Sequence, residues 1–418
     1  MSDIADPGLA EGGLARIGWA AQSMPVLRGI AERFARDRPL AGLTVAACVH
    51  VTAETAVLVD ALRAGGARVF LAASNPLSTQ DDIAAALATS GAAVVYARAG
   101  ADRAAYDAHI GCALDAGPDL VLDDGGDLLE MLHTRRPDLL AKVSGGCEST
   151  TAGVIRLRRM AAAGTLAFPV AAADASATRL MIDNTYGTGQ SAIDGIVRST
   201  NILLAGKTVV VAGYGWCGRG IAQRARGLGA QVVVTEVDPV RALDALMQGF
   251  RVLPMEQAAP LGEVFITATG STGVIAAAHM AAMRDGAILA NAGHFDVEVD
   301  VAGLAGLAAS VHRDVRPHED EYVLRDGRRL LLLAEGRIVN LVAGEGNPPA
   351  VMDVSFASQA LVLAWLAGER GTLLPGVHPV PSAIEEQVAR LALAATGTSI
   401  DSHTPQQRAY LSSWQDGH

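Results

Sequence analysis

The segment that most restricts the fold is Thr208-Val-Val-Val-Ala, followed at once by Gly213-Tyr-Gly215-Trp-Cys-Gly218-Arg-Gly220 and a helical stretch through Arg226. An apolar run, a glycine-rich turn and a helix in that order form the phosphate corner of a dinucleotide fold. Gly213 permits the tight turn, Gly215 lets the backbone approach a pyrophosphate, and Gly218 lets the helix pack closely on the strand. Free N–H groups at the helix start, around Trp216 and Cys217, suit an anionic diphosphate. A second strand, Gln231-Val-Val-Val-Thr, ends in Glu236, about 20 residues past the glycines as the dinucleotide fingerprint requires. A carboxylate there accepts hydrogen bonds from ribose hydroxyls and repels a 2′-phosphate, so the expected cofactor is NAD rather than NADP. Arg241 lies nearby and pulls the other way.

Upstream, strand-like runs at 43–48, 67–72 and 92–96 alternate with helical runs at 52–63 and 81–89. That alternation predicts a parallel sheet covered by helices. The run Leu120-Val-Leu-Asp-Asp-Gly-Gly-Asp places Asp123 and Asp124 just after a strand, where open α/β sheets keep their ligand crevice. A lesser alternative for Asp123 is a cap for the next helix. Further strands at 264–267, 287–291 and 330–334 continue a second sheet, with Arg325-Asp-Gly-Arg-Arg-Leu as a hairpin turn. At 418 residues the chain is too long for one ordinary core. The expected fold class is α/β, with two Rossmann-like, doubly wound parallel-sheet domains. The first 12 residues and the stretch after Thr396 read as polar and poorly packed.

Composition excludes several function classes. A formal charge of -11, without clustered Lys and Arg, argues against a nucleic-acid partner. The cysteines Cys48, Cys112, Cys147 and Cys217 are far apart, and no signal-peptide pattern follows Met1, so a reducing cytoplasm is expected. Alanine supplies much of the positive mean hydropathy, and no uninterrupted apolar run reaches the roughly 20 residues of a membrane span. No metal site is expected.

The segments His50-Val-Thr-Ala-Glu-Thr-Ala-Val-Leu, Asp123-Asp-Gly-Gly-Asp-Leu, Asp183-Asn-Thr-Tyr-Gly and Ser191-Ala-Ile-Asp-Gly-Ile carry a family likeness. So do Gly213-Tyr-Gly, Thr235-Glu-Val-Asp-Pro, Asn291-Ala-Gly-His-Phe-Asp and Leu333-Ala-Glu-Gly-Arg-Ile-Val-Asn-Leu. In these motifs, and in their order, the chain resembles S-adenosylhomocysteine hydrolases. The resemblance implies a substrate domain over residues 1–187 with a returning segment at 348–378. It implies an NAD domain at 188–347, a C-terminal segment at 379–418 and a homotetramer. In that family, bound NAD oxidises the ribose 3′-hydroxyl of an adenine nucleoside, a base removes the acidified 4′-hydrogen, and the 5′-thiol leaves. Matched to the motifs, His50 and Asp124 fall at the 4′ and 5′ acid–base positions, and Asp183 at the ribose-holding carboxylate. His294 falls near the mouth, and Glu54, with Thr52 beside it, at the adenine amino group. Thr150, Thr151, Asn184, Thr269, Gly293 and Asn340 fall at cofactor positions.

Four positions depart from the family. Ser149 replaces a catalytic Glu, Arg179 a general-base Lys, Thr188 a Cys and Asn347 a His, while Glu345 stands where the family has Met. Arginine keeps its proton, so Arg179 cannot be that base. Its planar fork suits a bidentate pair with Asp183 or with a substrate carboxylate or phosphate. Three readings stay open: a specialised relative with altered substrate or outcome, ordinary S-adenosylhomocysteine hydrolysis with Asp183 or a water in place of the Lys, and a non-catalytic NAD-binding partner. The tail, Tyr410 to His418, lacks the family's Lys and Tyr that reach a neighbouring subunit's NAD. Hinges are expected near 186–191 and 344–348, where glycines absorb dihedral change.

Overall fold

The computed structural model describes residues 2–414, so the last four tail positions lie outside the described residues. Seven strands come first: β1 (Asp3–Ile4), β2 (Thr44–Val49), β3 (Arg68–Ala73), β4 (Val94–Ala97), β5 (Leu120–Asp123), β6 (Gly145–Glu148) and β7 (Pro169–Ala172). They form a parallel sheet ordered β1-β4-β3-β2-β5-β6-β7. Every residue of β2 is buried. Val45, Ala47 and Val49 enter one core and Ala46 and Cys48 the other, the period-2 signature of a sheet covered on both faces.

The second sheet contains β8 (Thr208–Ala212), β9 (Gln231–Thr235), β10 (Arg251–Val252), β11 (Val264–Thr267), β12 (Ala287–Asn291), β13 (Ala308–Arg316), β14 (Glu319–Leu324) and β15 (Arg329–Leu333). Its order is β10-β9-β8-β11-β12-β15-β14-β13. This sheet is mixed: β14 runs antiparallel to both β15 and β13. The cause is local, because the short turn around Gly327 (φ +88°) can join only antiparallel neighbours. The chain then returns through helix Pro349–Gly368 and adds β16 (Gly376–Pro379) beside β7 in the first sheet.

Helix Pro349–Gly368 is long and apolar enough to cross a membrane, but 67% of its most apolar window is buried inside the molecule. Its polar residues are used internally. Asp353 accepts the N–H groups of Val26 and Leu27 at 2.9 and 2.7 Å, capping helix Pro25–Asp37.

None of residues 2–12 is buried, in keeping with the expectation of a poorly packed end, yet the segment is tied to the sheet and helices around it. β1 pairs with Tyr96 and Ala97, and helix Ala10–Gln22 lies so close to helix Asp81–Thr89 that a Cβ on Gly13 would sit 2.0 Å from the Asp82 carbonyl oxygen. Glycine and alanine, which make this segment look featureless, are what allow that approach. After Thr396 the chain is exposed, including helix Pro405–Ser412.

The two sheets are linked by a wide helical segment of π type, Arg179–Thr188, that runs straight into helix Gly189–Thr200. It packs on the glycine-rich helix Trp216–Gly227 by backbone contact: a Cβ on Gly220 would lie 2.0 Å from the Thr185 carbonyl oxygen. Gly187 and Gly189, inside the expected hinge, are likewise packing glycines. A Cβ on Gly187 would lie 2.8 Å from Asn347, and one on Gly189 2.6 Å from the Gly220 backbone. Only Gly346, at φ +80°, has the backbone freedom expected of a hinge glycine.

Candidate functional site

The strand ends of the first sheet, the linking π segment and helix Pro349–Gly368 surround a cleft of about 160 Å³. His50, Thr52, Glu54, Asp124, Ser149, Thr150, Arg179, Asp183, Asn184, Thr188, His294, Asn340, Glu345 and Asn347 all line it. The structure thus gathers one segment after another of the sequence-derived set. It adds Met352, Phe356 and Gln359 from the returning helix, which sequence reasoning missed.

His50 follows β2. Its Nδ1 lies 2.6 Å from the Ser78 hydroxyl, and its Nε2 lies 3.3 Å from Asp124 Oδ2. The facing carboxylate, which only accepts, places the neutral ring's proton on Nε2, which donates to Asp124, while the Ser78 hydroxyl, also 3.1 Å from the Asn75 carbonyl oxygen, donates to Nδ1. Burial first, then the charges of His294 and Arg179, lower the His50 pKa, with Asp124 opposing. The pair therefore has room for one more proton.

Asp124 follows β5. Burial alone would raise its pKa, but His50, His294, Arg179 and a 2.7 Å hydrogen bond from the Ser149 hydroxyl together lower it. Ser149 thus spends its hydroxyl on Asp124. Asp123 takes the capping role: it accepts the Asp124 and Leu129 N–H groups at 2.9 and 2.8 Å at the start of helix Asp127–Thr134. It is fully buried, and burial, with Asp127 and Asp124 adding, pushes its pKa up to about 7.

Beneath the cleft lies Glu148, a buried carboxyl absent from the sequence-derived set. Its Oε1 accepts from the Gly125 N–H, the Thr150 N–H and the Thr150 hydroxyl at 2.9, 2.8 and 2.7 Å, which ties the Asp124 loop to the start of helix Thr151–Ala162. Burial, Asp123 and Asp124 raise its pKa well above the carboxylate range. Thr151 itself is exposed and lines neither this cleft nor the cofactor cleft, unlike its neighbour Thr150.

Arg179 and Asp183, one turn apart on the π segment, approach no closer than Nε–Oδ2, 3.7 Å. This corrects the expected bidentate pair with Asp183, which is beyond hydrogen-bond distance. Among the described residues, the Arg179 side chain makes no hydrogen bond. Burial works against the Arg179 charge, but Asp183, Asp124, Asp174 and Glu148 outweigh it and hold the pKa above the ordinary arginine value. Asp183 is instead held by the Asn347 amide at Oδ1 and by the Ser355 hydroxyl at Oδ2, 2.7 Å. Asn347 and Ser149 therefore both serve a carboxylate rather than standing free toward a ligand. The Thr188 side chain hydrogen-bonds Cys217, whose thiol is pushed up to about 11, mainly by burial and Asp183. Glu54, at the other end of the cleft, is buried and its pKa raised by that burial. Glu345 is an exposed rim residue paired with Arg16 at 3.2 Å.

The second cleft opens at the ends of β8, β9 and β11, lined by Gly213, Gly215, Glu236, Arg241 and Thr269 among others. Its geometry fits a dinucleotide. Gly213 has φ +95°, a Cβ on Gly218 would lie 1.9 Å from the Gly213 carbonyl oxygen, and Gly215 begins helix Trp216–Gly227 with its Cβ side clear to 3.7 Å. Glu236 is fixed at the end of β9 by the Tyr214, Val237 and Asp238 N–H groups. Buried Glu298, also missed, holds Thr269 and Gly270, and packs where Gly293 has no side chain. Asn340 Oδ1 is a buried acceptor left without a partner among the described residues.

Comparison with known proteins agrees with this geometry. Residues 2–138 match the family described as S-adenosyl-L-homocysteine hydrolase, and residues 184–346 match the family's NAD binding domain. Adenosylhomocysteinases of Aquifex aeolicus and Aeropyrum pernix are 54% and 55% identical to the chain, each alignment covering 99% of both sequences. An S-inosyl-L-homocysteine hydrolase of Methanopyrus kandleri is 51% identical, over 99% of this chain and 97% of its own. Glycine corner, Glu236, the His50–Asp124 pair and full-length identity thus converge: the chain belongs to the S-adenosyl-L-homocysteine hydrolase family and is an NAD-dependent enzyme.

Proposed function

We propose that this enzyme acts by redox at the ribose 3′ position of an adenosine-type nucleoside, with a substrate or outcome other than ordinary S-adenosylhomocysteine hydrolysis. One observation carries the reading: the cleft presents a permanently charged Arg179 guanidinium, hemmed by Asp183, Asp124 and Asp174, at the position where the family has a base. NAD bound at the glycine corner supplies the hydride acceptor. The chain's own residues then divide the work. Asp183, fixed by Asn347 and Ser355, accepts from the ribose hydroxyls and takes the 3′-hydroxyl proton, directly or through a water, as the hydride leaves. Arg179 donates its free N–H groups to a ribose oxygen and so favours charge developing there. His50 and Asp124 take up one proton at the 4′ or 5′ side.

The same charges bear on the substrate. With Asp183, Asp124 and Asp174 around one guanidinium, a further carboxylate or phosphate at this end meets repulsion, so the group facing Arg179 is a neutral hydroxyl or carbonyl. A second reading, ordinary hydrolysis, is favoured by the names of relatives at 54% and 55% identity. In it, a water or Asp183 relays the hydroxyl proton.

The test is to incubate the purified protein with a panel of adenine nucleosides and follow bound-NADH absorbance together with products by mass spectrometry. Reduction of bound NAD without thiol release supports the proposal. Turnover of S-adenosylhomocysteine at the rate of the Aquifex aeolicus relative, assayed alongside, overturns it in favour of hydrolysis. Silence on both removes ribose redox from either reading.

A further inference from the structure

Helix Pro349–Gly368 enters the molecule at the rim of the nucleoside cleft and runs down past its floor. At the rim, Pro349 shares an outer groove with Glu54, the residue matched to the adenine amino group. At the far end, a Cβ on Gly145, the first residue of β6, would lie 3.1 Å from Leu366. Gln359 stands seven residues before Leu366, about 10 Å along a helix, and the end of β6 stands about as far from Gly145. Gln359 is therefore level with the strand end that leads into Ser149, and about 15 Å below Pro349. It lines the cleft with Met352 and Phe356, and is 3% exposed. Helical side chains lean toward the helix start, which directs this one up toward the cleft floor. Ser355, one turn above, donates to Asp183 at 2.7 Å, so that part of the floor lies under the ribose rather than under the base.

Other polar residues of this helix have partners. Asp353 caps helix Pro25–Asp37, and Ser355 holds Asp183. The Gln359 carboxamide makes no hydrogen bond among the described residues, and its Oε1 is a buried acceptor without a partner. Ser358 Oγ is also unpartnered, but Ser358 does not line the cleft. An unpaired amide in a buried position destabilises the empty protein, where an apolar side chain of the same shape does not. We propose that Gln359 is a binding residue for the sugar and reads the 2′,3′-diol of the nucleoside from the cleft floor. The assignment rests on the nucleoside reading above. A ribose presents two neighbouring hydroxyls, and a carboxamide presents a donor beside an acceptor. Asp183, which only accepts, takes the proton of one hydroxyl, and that oxygen then accepts from Gln359 Nε2. The second hydroxyl donates to Oε1. A sugar lacking either hydroxyl leaves one end of the buried amide unpaired, so the residue selects for the intact diol.

The experiment uses the full-length protein loaded with NADH, so that no hydride leaves the ligand. Calorimetry compares adenosine with its 2′-deoxy, 3′-deoxy and 5′-deoxy analogues on wild type, Gln359→Met and Gln359→Leu, the second variant guarding against a misfit of the first. In wild type, loss of the 2′- or 3′-hydroxyl weakens binding about 30-fold or more, because a buried polar group is left unpaired. In the variants both of those gaps narrow by about tenfold, while the 5′-deoxy gap, on the His50 and Asp124 side, stays as in wild type. Melting of the ligand-free proteins gives an independent readout: at least one apolar variant melts higher than wild type. Variants that weaken all four nucleosides equally, or none of them, overturn the proposal. So does a lower melting temperature in both variants, which would show that the amide has a structural partner. Should adenosine not bind wild type, the nucleoside reading fails and melting alone decides: a rise in either variant supports an amide kept for a ligand, and a fall in both overturns it.

Discussion

The cofactor corner and the ribose end of the nucleoside cleft both sit at the C-terminal ends of parallel strands, but they are held together by different means. The corner is made of neighbours in sequence, and its shape follows from backbone contacts that leave no space at Gly213, Gly218 and Gly220. The ribose end is assembled from segments around residues 50, 124, 149, 179–188, 347 and 355, joined through side-chain hydrogen bonds to two carboxylates. The four departures that the family likeness implies all fall in the second region. Ser149 serves Asp124 while Asn347 and Arg179 face Asp183, so the carboxylates stay and their partners change. A site defined by backbone contact admits little substitution, whereas a site defined by side chains can be rebuilt around the same anions.

The largest effect expected from this contrast is at the backbone contacts. Gly220→Ala forces a Cβ onto the Thr185 carbonyl oxygen and should cost about 3 kcal/mol or more, the upper end of ordinary overpacking, as read by urea denaturation. Gly227→Ala, on the same helix with nothing within 4 Å, should stay within about 0.5 kcal/mol of wild type. Equal effects at the two glycines would break the comparison.

A smaller loss is expected from Glu236, the side chain proposed to read the cofactor. Glu236→Ala removes a charged acceptor and should weaken NAD by roughly 1.5–3 kcal/mol in dialysis or calorimetry. Co-purification of NADP with wild type at comparable occupancy would contradict the role assigned to Glu236.

The smallest effect concerns pH. Asp123, with its folded pKa raised to about 7 by burial, stays protonated in the native state where the unfolded chain, with a pKa of about 3.9, has lost the proton. Its stabilising contribution is complete below the unfolded value and is lost as pH rises toward 7. Asp123→Asn cannot titrate, but its amide nitrogen cannot accept one of the two N–H groups now capped, a loss of roughly 1 kcal/mol. Urea midpoints should therefore place the variant below wild type at pH 5, with the gap narrowing by pH 8. A gap constant with pH would show that Asp123 is ionised throughout.

Much of this was legible in the sequence where one stretch of chain carries the whole feature. The alternation up to residue 145, the glycine corner and Glu236 are of that kind, because strand period, turn chemistry and helix start are local. The hairpin at 325–330 already implied the antiparallel pairing of β14 with β15, but β13 escaped because Ala308–Arg316 is a polar, exposed run without the apolar pattern of a strand. Glu148, Glu298 and Ser78 escaped because each acts by bonding backbone or side chains far away in sequence or by orienting a ring. A signal did exist for the returning helix: Asp353, Ser355 and Gln359 interrupt an otherwise apolar run, and buried polar groups need partners. Thr151 entered the cofactor set through the family likeness, but the helix starting at Thr151 turns it outward.

The measurement that bears most directly on the central claim compares release of homocysteine from S-adenosylhomocysteine by the NAD-loaded wild type and by Ser149→Glu/Arg179→Lys/Thr188→Cys/Asn347→His, the four changes being combined because residues acting as a unit are strongly non-additive. If the ribose end was rebuilt around retained carboxylates, the wild type releases little thiol and the quadruple variant gains about 10² to 10⁴ in rate, the usual worth of a general base. A wild type that hydrolyses as fast as the variant, with both folded and NAD-loaded, would contradict the account.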